Sequence, residues 1–328
     1  VCMKRMQLEY FVRIVEEKSF TKAAEKLFIS QSALNQQLLK LEKDLSAPLF
    51  FRTRNNWQLT EVGEIYVRTA REILGLKESA YNQIADVLGS ESRHFTLGIA
   101  PGRGIRMFTH VYPRFLEKFP GVSISPIEMS SYRQQSLIAD EKLDLGFLTI
   151  GDSQKINSNY HTIYSEEIFV ALPTNHPLSK SISRSPGQIP EIELSALQDE
   201  PFVLMYPGSS CRFLTDAIFG EAGITPNVLF ETSNAGSIAY FVSSGLCCGF
   251  IPEFYALERN DISLFALPSH PHWDVAFCYS KRSYLSKPLK EFIRLCSEYW
   301  MEYYQQKRPV SGNTHESEHP DSVPDETL

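Results

Sequence analysis

The chain lacks most of what would commit it to a membrane, an oxidising compartment or catalysis. No apolar run approaches the roughly 18 residues of a bilayer-crossing helix. The opening "VCMKRMQLEY" has neither the apolar core nor the cleavage site of a secretory leader, so a cytoplasmic protein without a membrane partner is expected. Six cysteines are scattered through 328 residues, and only Cys247 and Cys248 adjoin. That is not a disulfide framework, and reduced, mostly buried thiols are expected. Catalytic signatures are also missing: no G-x-S-x-G elbow, no H-E-x-x-H pair and no phosphate-binding G-x-x-x-x-G-K loop. Neither an enzyme activity nor a cofactor nor a metal is expected. His270 and His272 in "SHPHW" stand two apart without a companion cysteine or acidic cluster and read as a loop.

An overall positive charge is lacking too. A formal net charge of −7 argues against a protein that coats nucleic acid. The first 60 residues, however, carry ten Lys or Arg against six Asp or Glu. A small basic module on an acidic body is what a protein needs when only one end meets phosphates.

Within that module Leu8, Phe11, Val12 and Val15 recur at helical spacing. Ser19 or Thr21 can cap a second helix over Lys22–Leu27, whose Ala23 and Ala24 permit close helix approach. Phe28 and Ile29 are expected to fill the turn, and Ser30 to cap a third helix. On that helix Leu34, Leu38, Leu41 and Leu45 form one apolar stripe. The other face collects Ser32, Asn35, Gln36, Leu39, Lys40 and Lys43. Between Ser30 and Leu39 this helix lacks any Lys or Arg, but amides can pair bidentately with adenine. Next, "PLFFRTRNNWQLTEVGE" describes a β-ribbon wing, with Asn55-Asn56 at its turn and Arg52 and Arg54 positioned for phosphates or the minor groove. Thr60 can cap a helix from Glu61 to about Leu88. There Tyr66, Ile73, Ala80 and Val87, with Ala70 and Ile84 between them, form a coiled-coil seam interrupted by Lys77.

From Phe95 onward short apolar strands alternate with helices: "FTLGIA", "VSISPIEM", "LDLGFLTI", "EEIFVAL", "PFVLM", "VLFET" and "CGFIP". This is the pattern of a mostly parallel sheet covered on both sides. Strands near Leu264 and in "WDVAFCY" are expected to return to the first half, where a helix over about Pro288–Gln306 would pack. The polar, proline-containing tail from Lys307 reads as disordered.

The order of Phe11, Ser19-Phe20, Ala23-Ala24, Leu27, Ser30-Gln31-Ser32, Leu41-Glu42, Leu49-Phe50, Arg52, Leu59-Thr60 and Gly63 resembles the winged helix-turn-helix of the LysR-type transcriptional regulators. Asn35-Gln36-Gln37 stands where the family usually has Ser-Arg-Gln, and Leu39 where it has a polar or basic residue. "LDLGF", "NHPL" and "VSSGLCCGFIP" extend the resemblance more loosely. It implies a winged helix-turn-helix over 1–60, a dimerising linker helix over 61–90 and a periplasmic-binding-protein-like α/β effector domain over 91–306. In that domain subdomain I would comprise about 91–165 and 264–306, and subdomain II about 166–263. Expected partners are double-stranded promoter DNA, a small-molecule effector, further copies of the chain as a dimer or dimer of dimers, and RNA polymerase. DNA would be held by Thr21, Ser30, Gln31, Ser32, Asn35, Gln36, Lys40, Lys43, Arg52 and Arg54.

Ligands in such sheets sit beyond strand carboxyl ends, against helix amino termini. The turns there supply Gly102, Arg103 and Gly104, then Ser130, Ser131, Thr149, Ser209, Ser210 and Ser233; their convergence on one cleft is implied by the resemblance. Arg103, with Arg106 or Arg212, suggests a carboxylate or another small anion. An alternative is redox control through Cys211, which stands at a helix amino terminus beside Arg212 and in the place of the family's peroxide-reactive cysteine. The resolving cysteine expected nine residues later is replaced by Gly220. A solute-binding protein or an enzyme are the readings from other classes.

Overall fold

A computed structural model describes residues 5–51, 58–89, 93–181 and 189–307. The wing arginines Arg52 and Arg54, the wing turn and the tail beyond Lys307 lie outside the described residues. The chain divides into two compact units, 1–90 with 282–286, and 91–281 with 287–328.

The first unit contains α1 (Arg5–Glu17), α2 (Phe20–Lys26), α3 (Gln31–Leu45) and α4 (Glu61–Leu88). Three hydroxyls start helices: Ser19 accepts from Lys22 N–H, Ser30 from Ala33 N–H and Thr60 from Gly63 N–H. Each satisfies an amide that the first helical turn leaves without a partner. Leu8, Phe11, Ala23, Ala24, Leu34, Leu38 and Leu41 are buried in one core with Leu49 and Phe50. Phe50 and Leu59 form an isolated antiparallel bridge. Gly63 is required by close approach, because a Cβ there would lie 2.2 Å from the Leu49 carbonyl oxygen.

Three expectations change in this unit. Phe28 does not fill the turn: it has φ +55° and is 95% exposed. Leu45 is half-buried, at the edge of the apolar stripe. Tyr66 and Ala70 do not belong to an external seam, because they are buried in this unit's own core, with the Tyr66 ring edge-on to Phe11. The exposed apolar stripe of α4 consists instead of Val62, Ile65, Ile73, Leu76, Ala80, Ile84 and Val87. At 100° per residue these positions fall within about 100° of one another.

The second unit begins with β1 (Arg93–Ile99), α5 (Arg103–Lys118), β2 (Val122–Glu128), α6 (Ser131–Ala139) and β3 (Leu145–Ile150). β4 (Asn159–Pro173) follows, then α7 (Pro177–Ser181), β5 (Pro201–Met205), α8 (Ser210–Glu221), β6 (Asn227–Thr232), α9 (Ala235–Ser243) and β7 (Cys248–Pro252). The unit closes with α10 (Glu253–Ala256), β8 (Ile262–Phe265), β9 (His272–Tyr279) and α11 (Lys287–Lys307). The strand order is β2-β1-β3-β9-β4-β7-β5-β6, and β8 pairs with β4.

β4 is long enough to serve both halves. Its first part, Asn159 to Glu167, runs antiparallel to β9, and its second part, Ile168 to Pro173, pairs with β7 and β8. Two crossover strands, β4 and β9, therefore join subdomain I to subdomain II. The strand at Leu264 does not return to the first half: it pairs with Ala171, and Phe265 lies in the core of subdomain II. The return occurs at β9, which pairs with β3 and with the first part of β4. Lys307 ends α11 rather than starting the tail.

Candidate functional site

On α3 the side chains of Gln31, Ser32, Asn35, Gln36, Lys40 and Lys43 are all exposed, opposite buried Leu34, Leu38 and Leu41. Ser30 spends its hydroxyl on the helix cap and lies 3.0 Å from Ser32 Oγ. Thr21 donates to Gln31 Oε1 at 3.3 Å, tying α2 to the start of α3. An amide-bearing helix start followed one to two turns later by two lysines suits base edges first and phosphates second. Leu39, 47% exposed, lines a groove with Lys43, Phe50 and Phe51.

In the second unit a cavity of about 270 Å³ lies between the two subdomains, lined by Arg103, Ser130, Ser131, Thr149, Ser209, Ser210 and Ser233. Ala100, Pro101, Met205, Cys211, Asn234, Ala235, Pro252, Tyr255 and Trp273 complete the wall. The size is near the lower end of the roughly 300–1,000 Å³ of small-molecule sites. Four helices, α5, α6, α8 and α9, begin at this cavity. Ser130, Ser209 and Asn234 cap three of them, accepting from Arg133, Arg212 and Gly236 N–H. Converging amino termini bring partial positive charge and unspent amides to one place.

The glycines have a different role from the one expected. Neither lines the cavity: Gly104 packs where a Cβ would meet the Ile99 Cβ at 2.6 Å, and Gly102, at φ +77°, sits against the Tyr255 hydroxyl. The arginines also depart from expectation. Arg103 is 3% exposed and its charge is met by Glu166, which is fully buried on β4. Nη2 donates to Glu166 Oε1 at 3.0 Å, while Nη1 lies 2.7 Å from Oε2 without aligned hydrogen-bond geometry. Glu166 also accepts from Phe254 N–H at 2.8 Å, Trp273 Nε1 at 2.5 Å and Tyr304 Oη at 3.3 Å. Burial drives the Tyr304 phenol upward, and the Glu166 charge adds to the shift. Arg106 turns to Glu258, and Arg212 to Asp216 and Glu231. Neither Arg106 nor Arg212 lines the cavity.

Cys211 is 5% exposed, and burial, reinforced by the Glu166 charge, pushes its thiol up to about 12. Desolvation outweighs the opposing Arg103 charge there, contrary to the stabilised thiolate expected from sequence. Cys211 is accordingly expected to resist iodoacetamide at pH 7.5 in the folded protein and to label on unfolding. Mass spectrometry of the labelled peptide checks this.

Sequence reasoning missed Asn234, Tyr255 and Trp273. Asn234 could have been found, because asparagine is a preferred cap and directly precedes a helix. Tyr255 and Trp273 could not, since nothing local distinguishes a cavity wall from a core aromatic.

Residues 6–64 match the bacterial regulatory helix-turn-helix proteins of the lysR family, and residues 88–301 match the LysR substrate binding domain. The HTH-type transcriptional regulator YybE of Bacillus subtilis (strain 168) is 29% identical over 262 residues, spanning 80% of this chain and 86% of its own. AlsR of the same strain, also an HTH-type transcriptional regulator, is 26% identical over 299 residues, spanning 89% and 95%. Among solved structures, a full-length OxyR variant from Pseudomonas aeruginosa superposes with a TM-score of 0.64 at 21% identity, covering 91% of this chain and 94% of that one. At that identity the likeness concerns the fold.

Proposed function

The chain belongs to the LysR family of helix-turn-helix transcriptional regulators, and on that premise we propose which residues read DNA and what kind of effector controls it. It is a regulator with an effector-binding domain, not an enzyme. The proposed DNA surface is the exposed face of α3, with Gln31, Ser32, Asn35 and Gln36 toward base edges. Lys40, Lys43 and the wing arginines Arg52 and Arg54 would hold the backbone. The proposed compartment is the cytoplasm, and RNA polymerase is a proposed further partner.

The effector proposed is a small organic anion, a carboxylate by preference. The observation that carries this is the convergence of four helix amino termini on one cavity of about 270 Å³. The Arg103 charge does not carry it, because Glu166 already meets that charge. The Ser130, Ser131, Thr149, Ser209, Ser210 and Ser233 hydroxyls would orient the ligand. An effector that favours one of two arrangements of the subdomains would shift their populations and thereby the DNA-bound assembly. A thermal-shift screen of small carboxylates against their uncharged amides tests the class. At 100 times its Kd a ligand bound only by the native state contributes about 2.7 kcal/mol. Stabilisation by amides but by no carboxylate would refute it.

Self-association is proposed through the α4 stripe. Leu76, 61% exposed at its centre, should tolerate aspartate in the folded unit but not in a helix pair. Leu76→Asp is expected to shift the sedimenting species toward monomer and to weaken DNA binding at equal chain concentration.

A further inference from the structure

Three side chains far apart in sequence meet at the end of subdomain II remote from the cavity. His176 lies in the turn after β4, Glu200 immediately before β5, and Cys248 opens β7. β7 runs antiparallel to β4 and parallel to β5, so the carboxyl end of β4 adjoins the amino ends of β5 and β7. Met205 and Pro252, at the other ends of β5 and β7, line the cavity. The candidate ligand atoms of the three residues all lie within 4.8 Å of one another. Cys248 is 1% exposed, and the His176 side chain is 10% exposed. Among the described residues His176 Nε2 is buried without an aligned hydrogen bond, 3.3 Å from Glu200 Oε1.

We propose that His176, Glu200 and Cys248 form a binding site for a borderline divalent first-row metal ion, of which Zn²⁺ is the type. One thiolate, one imidazole and one carboxylate suit such an ion, and hard cations such as Mg²⁺ prefer all-oxygen shells. Three protein ligands leave a fourth tetrahedral position for water. Nε2 makes no aligned hydrogen bond and faces the Glu200 carboxylate, the oxygen ligand with which it would share the ion.

The protons balance as follows. Burial and the neighbouring Glu200 charge push the Cys248 thiol up to about 12. The metal–sulfur bond therefore forms as the S–H bond breaks, with one proton leaving to solvent. Leu178 N–H donates to His176 Nδ1 at 3.2 Å, so the neutral ring carries its proton on Nε2. Metal on Nε2 requires that proton on Nδ1, so the Leu178 amide gives up this acceptor and the metal bond must outweigh the lost hydrogen bond. The ion would fasten three segments of the sheet end without touching the effector cavity.

Metal-free full-length protein titrated with Co²⁺ tests the proposal. The expected result is one equivalent bound with a near-ultraviolet thiolate-to-cobalt charge-transfer absorption, displaced by Zn²⁺. Cys248→Ser should abolish the band. Glu200→Gln, at a side chain still 39% exposed, should fold normally and lose more affinity than the roughly 10- to 100-fold that an outer-shell change costs. Zn²⁺ should raise the Tm of the wild type but not of Glu200→Gln. Absence of the band in the wild type, its persistence in Cys248→Ser, or unchanged affinity in Glu200→Gln would overturn the site.

Discussion

Replacing Glu166 with alanine is expected to destabilise the effector-binding unit by about 3–5 kcal/mol, the usual result of removing one partner of a buried pair. The cause is what remains behind. Arg103 is 3% exposed and keeps its charge at a buried position. The Phe254 amide, the Trp273 indole and the Tyr304 hydroxyl lose an acceptor at the same time. For a unit of this size the loss corresponds to roughly 6–20 °C in Tm. Glu166→Gln keeps the shape and some acceptor capacity but removes the charge, so an intermediate loss is expected. The double substitution Arg103→Met, Glu166→Leu should recover only the part due to the unpaired charge, because the Phe254, Trp273 and Tyr304 donors still lack their acceptor. Differential scanning calorimetry on the four proteins measures the sequence. A single Glu166→Ala variant as stable as the wild type would contradict the account.

Gln36→Ala and Asn35→Ala are expected to change which DNA is preferred, by about 1–3 kcal/mol, or roughly 5- to 150-fold, at the base pair contacted. Neither side chain supports the fold. Both are exposed, one helical face away from Leu34 and Leu38. Affinity for unrelated duplex should therefore hardly move. Lys43→Ala should behave in the opposite way, weakening all sequences alike and lowering the slope of log K against log salt by about one. Binding selections from a randomised duplex pool, repeated at two salt concentrations, separate the two patterns. If Gln36→Ala and Lys43→Ala gave the same profile, the division of labour along α3 would be wrong.

Much of the first unit was legible because its determinants are local. Ser30 caps α3, Thr60 caps α4, and the leucines of α3 mark its buried face through a spacing visible in sequence. α4 runs from Glu61 to Leu88 as the pattern indicated. The heptad of α4 was less informative. An apolar residue at helical spacing packs equally well on its own unit or on another copy, and Tyr66 and Ala70 take the first course. In the second unit the serines after the strands were legible as helix caps, and several of them do line the cavity.

Partnering was not legible. Arg103 looked like a free cation because its counter-charge, Glu166, lies 63 residues away on a crossover strand. Cys211 looked activated because helix start and arginine are visible in sequence, whereas burial is not. The meeting of His176, Glu200 and Cys248 depends on three strands adjoining in the order β4-β7-β5.

By itself the sequence determined most of the helices and strands, the caps at Ser30 and Thr60, the polar face of α3 and the family. All of these rest on interactions within a few residues or on a motif read in line. Only the tertiary structure decided which charges are neutralised, which thiols are buried and which apolar stripe stays open. Desolvation and long-range pairing set those properties, and both appear only when distant segments are brought together.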